Sequence, residues 1–306
     1  MSFHDTTIDV RHQDRQQYVA VELLLTAAGP VLLDTGPGST LDTLEAGLAA
    51  AGTRVEALHA ILLSHIHFDH AGATGLLVER NPNLTVYVHE RGARHLADPA
   101  KLVASATRIY GDRMDSLWGR FLPVPSANLR PLTGGETVRL GDREFTVAAT
   151  PGHASHHVSY YEAATGTAYG GDTGGLRVPA LPVTLPVTPP PDFDLEAWLA
   201  SLDTIASWAP TRLFCTHYGF SNDVPAHLAD LRRGLVHWAA LARELRSQDL
   251  TDQARADQFH HAILAGLEGK ASSEAIAGFS SFADFRASYH GIARYWQKRL
   301  EGSATA

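Results

Sequence analysis

Six consecutive residues, His65-Ile66-His67-Phe68-Asp69-His70, carry three imidazoles and one carboxylate. The segment follows the apolar run Leu58 to Ser64, which places it where a strand leaves a sheet. If the chain is still extended there, residues i and i+2 point to one side, so His65 and His67 can share one metal ion. Asp69 and His70, past the bend, can reach a neighbouring ion. Three further candidates occupy the same kind of place, each just beyond an apolar run and beside small or turn-forming residues. His153 ends Thr150-Pro151-Gly152-His153, Asp172 follows Tyr169-Gly170-Gly171, and His217 follows Leu213-Phe214-Cys215-Thr216.

Five imidazoles and two carboxylates with no thiolate suit zinc, iron or manganese, zinc being the first choice. Ligand arithmetic allows His65, His67 and His153 on one ion and Asp69, His70 and His217 on the other. Asp172 is then left to bridge, with room for a solvent molecule. Two ions about 3.5–4 Å apart lower the pKa of a bound water from about 15.7 toward ~7, which makes hydroxide at neutral pH without a strong base. Asp69 and Asp172 are the candidates to orient that hydroxide and pass a proton to the leaving group. Tyr218, next to His217, is the candidate donor to a developing oxyanion. The expected reaction is hydrolysis of an ester, thioester, lactone or related bond in a small molecule. Cys215, alone on its strand, reads as a small buried hydrophobe.

These residues need a scaffold, and the remaining sequence outlines one. Tyr18 to Leu25 and Val31 to Asp34 read as a hairpin around Ala27-Ala28-Gly29-Pro30, followed by a helix from Thr40 to Ala51. A helix is expected at Ala71 to Arg80, stopped by Asn81-Pro82, and then a strand at Thr85 to His89. Residues 99–121 are helical in pattern, with Tyr110, Met114, Trp118 and Phe121 as apolar surface. That surface could wall a pocket, pack a core or join two copies in a homodimer. Strands return at Thr137 to Leu140, Glu144 to Ala149, His157 to Glu162 and Thr167 to Gly170. Six prolines between Val178 and Asp192 forbid a helix or central strand, so this stretch reads as an extended loop close to Asp172. A helix at Leu195 to Trp208, a strand at Arg212 to Thr216 and helices over most of 224–300 complete the outline. The expected organisation is a catalytic unit over 1–222 and a helical C-terminal region over 223–306.

Composition narrows the partners. A formal net charge of −8 with no run of Lys or Arg disfavours nucleic acid. No apolar stretch reaches the ~18 residues of a membrane span, and the polar start lacks the form of a secretion signal. A single cysteine among 306 residues suits a reducing compartment, so the cytoplasm is expected.

The order His-x-His-x-Asp-His, then His, Asp and His at strand ends, resembles the metallo-β-lactamase superfamily over about residues 18–222. The resemblance implies an α/β, four-layer αββα sandwich, with a helical insertion and a helical C-terminal extension. It also implies that Asp34, in Leu33-Asp34-Thr35-Gly36, supports the metal loop from behind, and that His157 does the same from its own loop. His156 has no counterpart in the pattern. The Cys-Gly-Arg element that glyoxalase-II-like and persulfide-dioxygenase-like members carry after the bridging Asp is absent, since Asp172 continues Thr173-Gly174-Gly175-Leu176-Arg177. The tyrosine of acyl-homoserine-lactone lactonases is absent there too, and lactamases of the three-His type generally lack the bridging Asp. Two other readings compete with hydrolysis. One is a non-haem iron redox enzyme acting on oxygen or a sulfur species; the other is a vestigial binding protein, which the full set of seven ligands disfavours.

Overall fold

The computed structural model of the chain describes residues 5–177, 181, 183–280 and 284–304. Its first sheet contains β1 (Thr6–Asp9), β2 (Ala20–Thr26), β3 (Gly29–Leu33), β4 (Ala60–Leu62), β5 (Thr85–His89) and β6 (Leu129–Leu132), side by side in that order. The β1–β2 and β2–β3 pairs are antiparallel, and β3 to β6 run parallel. The second sheet begins with β7 (Thr137–Leu140), β8 (Arg143–Ala149), β9 (Val158–Glu162) and β10 (Thr167–Tyr169). A separate ribbon, β11 (Leu176–Arg177) with β12 (Thr184–Leu185), follows, and then β13 (Arg212–Cys215) and β14 (Gly219–Ser221) complete the second sheet. Its order is β14-β13-β10-β9-β8-β7, with β10 and β13 parallel.

Side-chain alternation along the strands builds the layers. In β2 to β4, Ala20, Leu24, Val31, Leu33, Ala60 and Leu62 turn inward and meet Phe145, Val147, Val158, Tyr160 and Phe214 of the second sheet. Their neighbours Val21, Leu23, Leu32 and Ile61 turn outward under helices. Those helices are α1 (Leu41–Ala50), α2 (Phe68–Ala71), α3 (Thr74–Arg80) and α4 (Glu90–Ala97). Between β5 and β6 the chain adds α5 (Ala100–Tyr110) and α6 (Met114–Trp118), separated by Gly111 at a positive φ of 55°.

The outer face of the second sheet carries α7 (Leu195–Ser207), α8 (Val224–Arg246), α9 (Asp252–Ala265), α10 (Ser273–Ser280) and α11 (Arg286–Ala304). Asp194, Asp223 and Thr251 cap α7, α8 and α9 by accepting backbone N–H bonds. Ala168, Leu213 and Cys215 of the sheet share one apolar cluster with Trp198, Leu231, Leu235 and Tyr289. The helices beyond residue 222 therefore share one core with the second sheet, α8 lying against α7 and β12, and α9 and α11 packing on α8.

Helix, sheet, sheet and helix layers are thus in place as expected. The proline-rich stretch is not loop throughout, because Thr184–Leu185 pairs with Leu176–Arg177; residues 178–180 and 182 of it lie outside the described residues. No helix among the described residues is long and apolar enough to cross a membrane.

Candidate metal centre

Strand direction gathers the polar residues at one end of the sandwich. Asp34 follows β3, His65 lies just past β4, His153 past β8, Asp172 past β10 and His217 past β13. β3 and β4 are parallel, and β8, β10 and β13 run one way, so all five positions are C-terminal strand ends, where open α/β sheets present ligands. Two backbone bonds join the sheets at this end, Val158 N–H to Ser64 O at 2.8 Å and Ala20 N–H to Thr216 O at 2.8 Å. Buried Tyr160 adds a third tie by donating to Leu63 O at 2.8 Å. The His segment leaves β4 extended and winds into α2 at Phe68, with His67 as the cap, so Asp69 and His70 fall on the first helical turn.

All seven sequence candidates for metal binding converge. The reactive atoms of His65, His67 and His153 lie within 4.8 Å of one another, and so do those of Asp69, His70 and His217. His65 Nε2 and His153 Nε2 each approach His67 Nδ1 to 2.9 Å. Asp172 stands between the groups, with Oδ2 3.4 Å from His153 Nε2, and Oδ1 3.1 Å from His70 Nε2 and 3.5 Å from His217 Nε2. His217 Nε2 lies 3.3 Å from Asp69 Oδ2. Five of the seven are buried; His67 and Asp69 are half-buried and form the mouth.

The donor set fits a cation on two physical grounds. Among the described residues, His70 Nε2 and Asp172 Oδ1 are buried without a well-directed hydrogen bond, although they approach each other to 3.1 Å and face the other polar groups of the centre. The charge balance also asks for a positive species. Burial works against protonation of His70, yet the surrounding Asp172, Asp34 and Asp69 push its pKa well above the usual imidazole value. Burial likewise opposes ionisation of Asp172, but His70, His217 and His153 pull its pKa well below the usual carboxylate range. His67, by contrast, is pushed down to about 4 by burial and by His153, so it presents a neutral ring nitrogen.

Outer hydrogen bonds fix the rings, as metal-ligating histidines require. His70 Nδ1 donates to Asp34 Oδ2 at 2.7 Å, His153 Nδ1 to Val187 O at 2.7 Å, and His217 Nδ1 to Tyr18 O at 2.8 Å. Asp34, fully buried at a φ of 57°, also accepts from Ser64 N at 2.8 Å, Ser64 Oγ at 2.9 Å and Thr216 Oγ1 at 2.8 Å. It therefore joins the ends of β3, β4 and β13 through one carboxylate. His157 holds the Asp172 turn: its Nε2 accepts from Asp172 N at 3.2 Å and Thr173 N at 3.4 Å, while Nδ1 faces Thr150 Oγ1 at 2.9 Å. A Cβ on Gly171 would come within 2.6 Å of that same Nε2, and its φ of +50° disfavours a side chain as well.

Tyr218 lies apart from these residues. Its ring packs against the apolar cluster between the sheets, and the charges that act on its phenol are Asp9 and Glu22 rather than Asp69 or Asp172. The phenol beside the centre is Tyr18, whose ring lies 5.7 Å from that of His217. Burial and the nearby Asp69 push Tyr18 up to about 12, so it keeps its proton at neutral pH. Burial and Asp69 raise Tyr110 as well. Further along this wall, Trp118 lies 5.8 Å from Phe68, 5.3 Å from Tyr110 and 5.2 Å from His12. Sequence reasoning gave no role to Tyr18 or His12. They reach the site through a loop with Arg11, Gln13, Asp14 and Gln17 at positive φ, which is tied to the insertion by His12 Nε2 donating to Leu117 O at 2.7 Å. His156 adds an unassigned imidazole, T-shaped to His67 at 5.5 Å.

Residues 17–217 match the family model described as the metallo-beta-lactamase superfamily. The chain belongs to this superfamily. A solved structure of superfamily protein ST1585 from Sulfolobus tokodaii superposes with a TM-score of 0.65 at 18% identity, covering 97% of this chain and all of that one. TTHA1623, solved in a di-iron-bound form, is 30% identical with a TM-score of 0.51, covering 70% of this chain and 93% of that one. Hydroxyacylglutathione hydrolase of Legionella pneumophila (strain Paris) is 30% identical over 118 residues, 38% of this chain. The chain spans only about a third of that protein, 34% of its length.

Proposed function

We propose that the protein is a dinuclear metal-dependent hydrolase of small acyl compounds. His65, His67 and His153 would hold one divalent ion and Asp69, His70 and His217 a second, with the Asp172 carboxylate standing between the two groups. The observation that carries this reading is the split of the Asp172 carboxylate, with Oδ2 facing His153 and Oδ1 facing His70 and His217. Zinc is favoured because mixed imidazole and carboxylate sets suit it. When bound, the ions supply a Lewis acid and a water acidic enough to serve as nucleophile near neutral pH.

The protein's own groups supply the remainder. Asp69, its side chain 24% exposed, can accept a proton from the nucleophile at the mouth and carry it toward the leaving group. Asp172, buried and ionised, orients from beneath. Tyr18 is better placed than Tyr218 to donate to the acyl oxygen, because its ring lies 5.7 Å from that of His217 whereas Tyr218 packs against the cluster between the sheets. Trp118, Tyr110 and Phe68 offer an apolar wall for an acyl or aryl group. An ester or thioester is the favoured bond: the matched Legionella enzyme is named for an acylglutathione, while Asp172 here continues Thr173-Gly174-Gly175 without the Cys-Gly-Arg element of glyoxalase-II-like members. A small-molecule substrate also agrees with the net charge of −8, and a cytoplasmic site of action with the single cysteine.

Zinc-loaded protein should be assayed on matched aryl esters, thioesters, lactones, lactams and phosphodiesters. Thioesters or esters should give the highest kcat/KM, and Asp69→Ala should remove most of that activity. A clear preference for phosphodiesters would overturn the acyl reading. The di-iron form of TTHA1623 favours a second reading, an iron enzyme acting on oxygen or a sulfur species. Iron in protein purified without added metal, together with substrate-dependent oxygen consumption, would select it.

A further inference from the structure

The turn that carries Asp172, residues Gly171–Gly174, is gripped from three sides. His157 accepts its amides, and α7 supplies Trp198, whose Nε1 donates to Thr173 O at 3.0 Å. The third grip comes from α8. His227, buried on the first turns of that helix, lies with Nε2 2.7 Å from Gly174 O. A carbonyl can only accept, so Nε2 carries the proton, and Nδ1 faces Thr184 Oγ1 at 3.4 Å. Burial pushes the His227 ring down to about 4, which keeps it in this neutral form. Cys215, fully buried, places its thiol 3.6 Å from the same Gly174 carbonyl. The fit is tight, for a Cβ on Gly174 would come within 2.8 Å of Cys215 Sγ. One residue on, a Cβ on Gly175 would meet Leu231 of α8 at 2.9 Å.

We propose that His227 is a positioning residue for Asp172: by holding the Gly174 carbonyl, the C-terminal helix fixes the carboxylate that faces both ligand groups. This rests on the reading of Asp172 as a bridging ligand. The catalytic centre is then incomplete without the helical region beyond residue 222. Asp230 extends the same clamp, accepting from Thr184 N at 2.6 Å and so holding β12 alongside.

The test uses full-length chain stripped of metal and titrated with zinc against a chromogenic chelator, with thermal midpoints of the stripped proteins measured in parallel. His227→Leu fills the space and removes the donor, His227→Gln keeps an N–H donor, and Leu228→Ala weakens the same helix without touching the turn. His227→Leu should weaken at least one zinc by about 10–100-fold, the range for outer partners of metal ligands, while His227→Gln stays near the parent. Leu228→Ala should lower the midpoint and leave both zinc affinities in place. Parental affinities in His227→Leu, equal losses in His227→Gln, or the same loss in Leu228→Ala would each overturn the proposal. Asp172→Ala serves as the separate control: if it keeps both zinc ions, the ligand reading itself fails, whatever His227→Leu shows.

Discussion

At the scale of single residues, the centre is a problem of placing charge. Three carboxylates, Asp34, Asp69 and Asp172, surround His70, and each is itself held by imidazole, hydroxyl or backbone donors. Asp34 does the most of this without meeting the ion positions: it accepts from Ser64, His70 and Thr216, and so orients one ring and two strand ends. Replacing it by Asn removes the charge and puts donors where acceptors are required. Asp34→Asn should therefore weaken zinc binding by about 10–100-fold while the fold survives. Chelator competition with circular dichroism on the same samples would check this, and unchanged affinity would deny Asp34 its supporting part. This residue was legible in the sequence through the family resemblance, which covers Leu33-Asp34-Thr35-Gly36. Tyr18 was not, since its place beside His217 depends on a loop whose positive-φ residues, Arg11, Gln13, Asp14 and Gln17, include no glycine to mark the turn.

Among the elements, periodicity served well where a segment has one clear environment. The strands Thr85–His89 and Thr137–Leu140 occur with the residues expected of them. β6 was missed because Leu-Arg-Pro-Leu contains a proline, which an edge strand tolerates. α4 was missed because His89, rather than Ser, Thr, Asp or Asn, caps it by accepting from Arg91 N. The expected helix from Ala71 divides at Gly72 and Ala73 and starts earlier, inside the ligand segment. The insertion is where packing and binding separate. Phe121 and Trp118 are both half-buried, but Phe121 packs onto the first sheet's outer cluster and lies 4.8 Å from Phe68, whereas Trp118 lies among Phe68, Tyr110 and His12. Phe121→Ala should cost about 1–2 kcal/mol, less than truncation of a fully buried aromatic because the ring is half-buried, and lower kcat/KM uniformly. Trp118→Ala should instead shift the preference among acyl chain lengths at constant zinc content. If both variants lose activity evenly and in step with stability, α6 is packing alone.

For the whole molecule, two sheets with differently aimed strands bring seven candidate ligands to one end of the sandwich, and no local signal says that they meet. The sequence carried the ligand types, their order and their strand-end settings; the distances came only with the fold. The C-terminal helices were legible as helices but not as neighbours of Asp172, because the His227 contact joins turns 53 residues apart. The central claim, two ions joined by Asp172, is tested most directly by the metal-to-protein ratio of parent and Asp172→Ala proteins after zinc loading and gel filtration. Close to two zinc ions per chain are expected in the parent, with loss from both positions in Asp172→Ala. A parent ratio of one or less under metal-replete conditions, or an Asp172→Ala protein that keeps two, would contradict it.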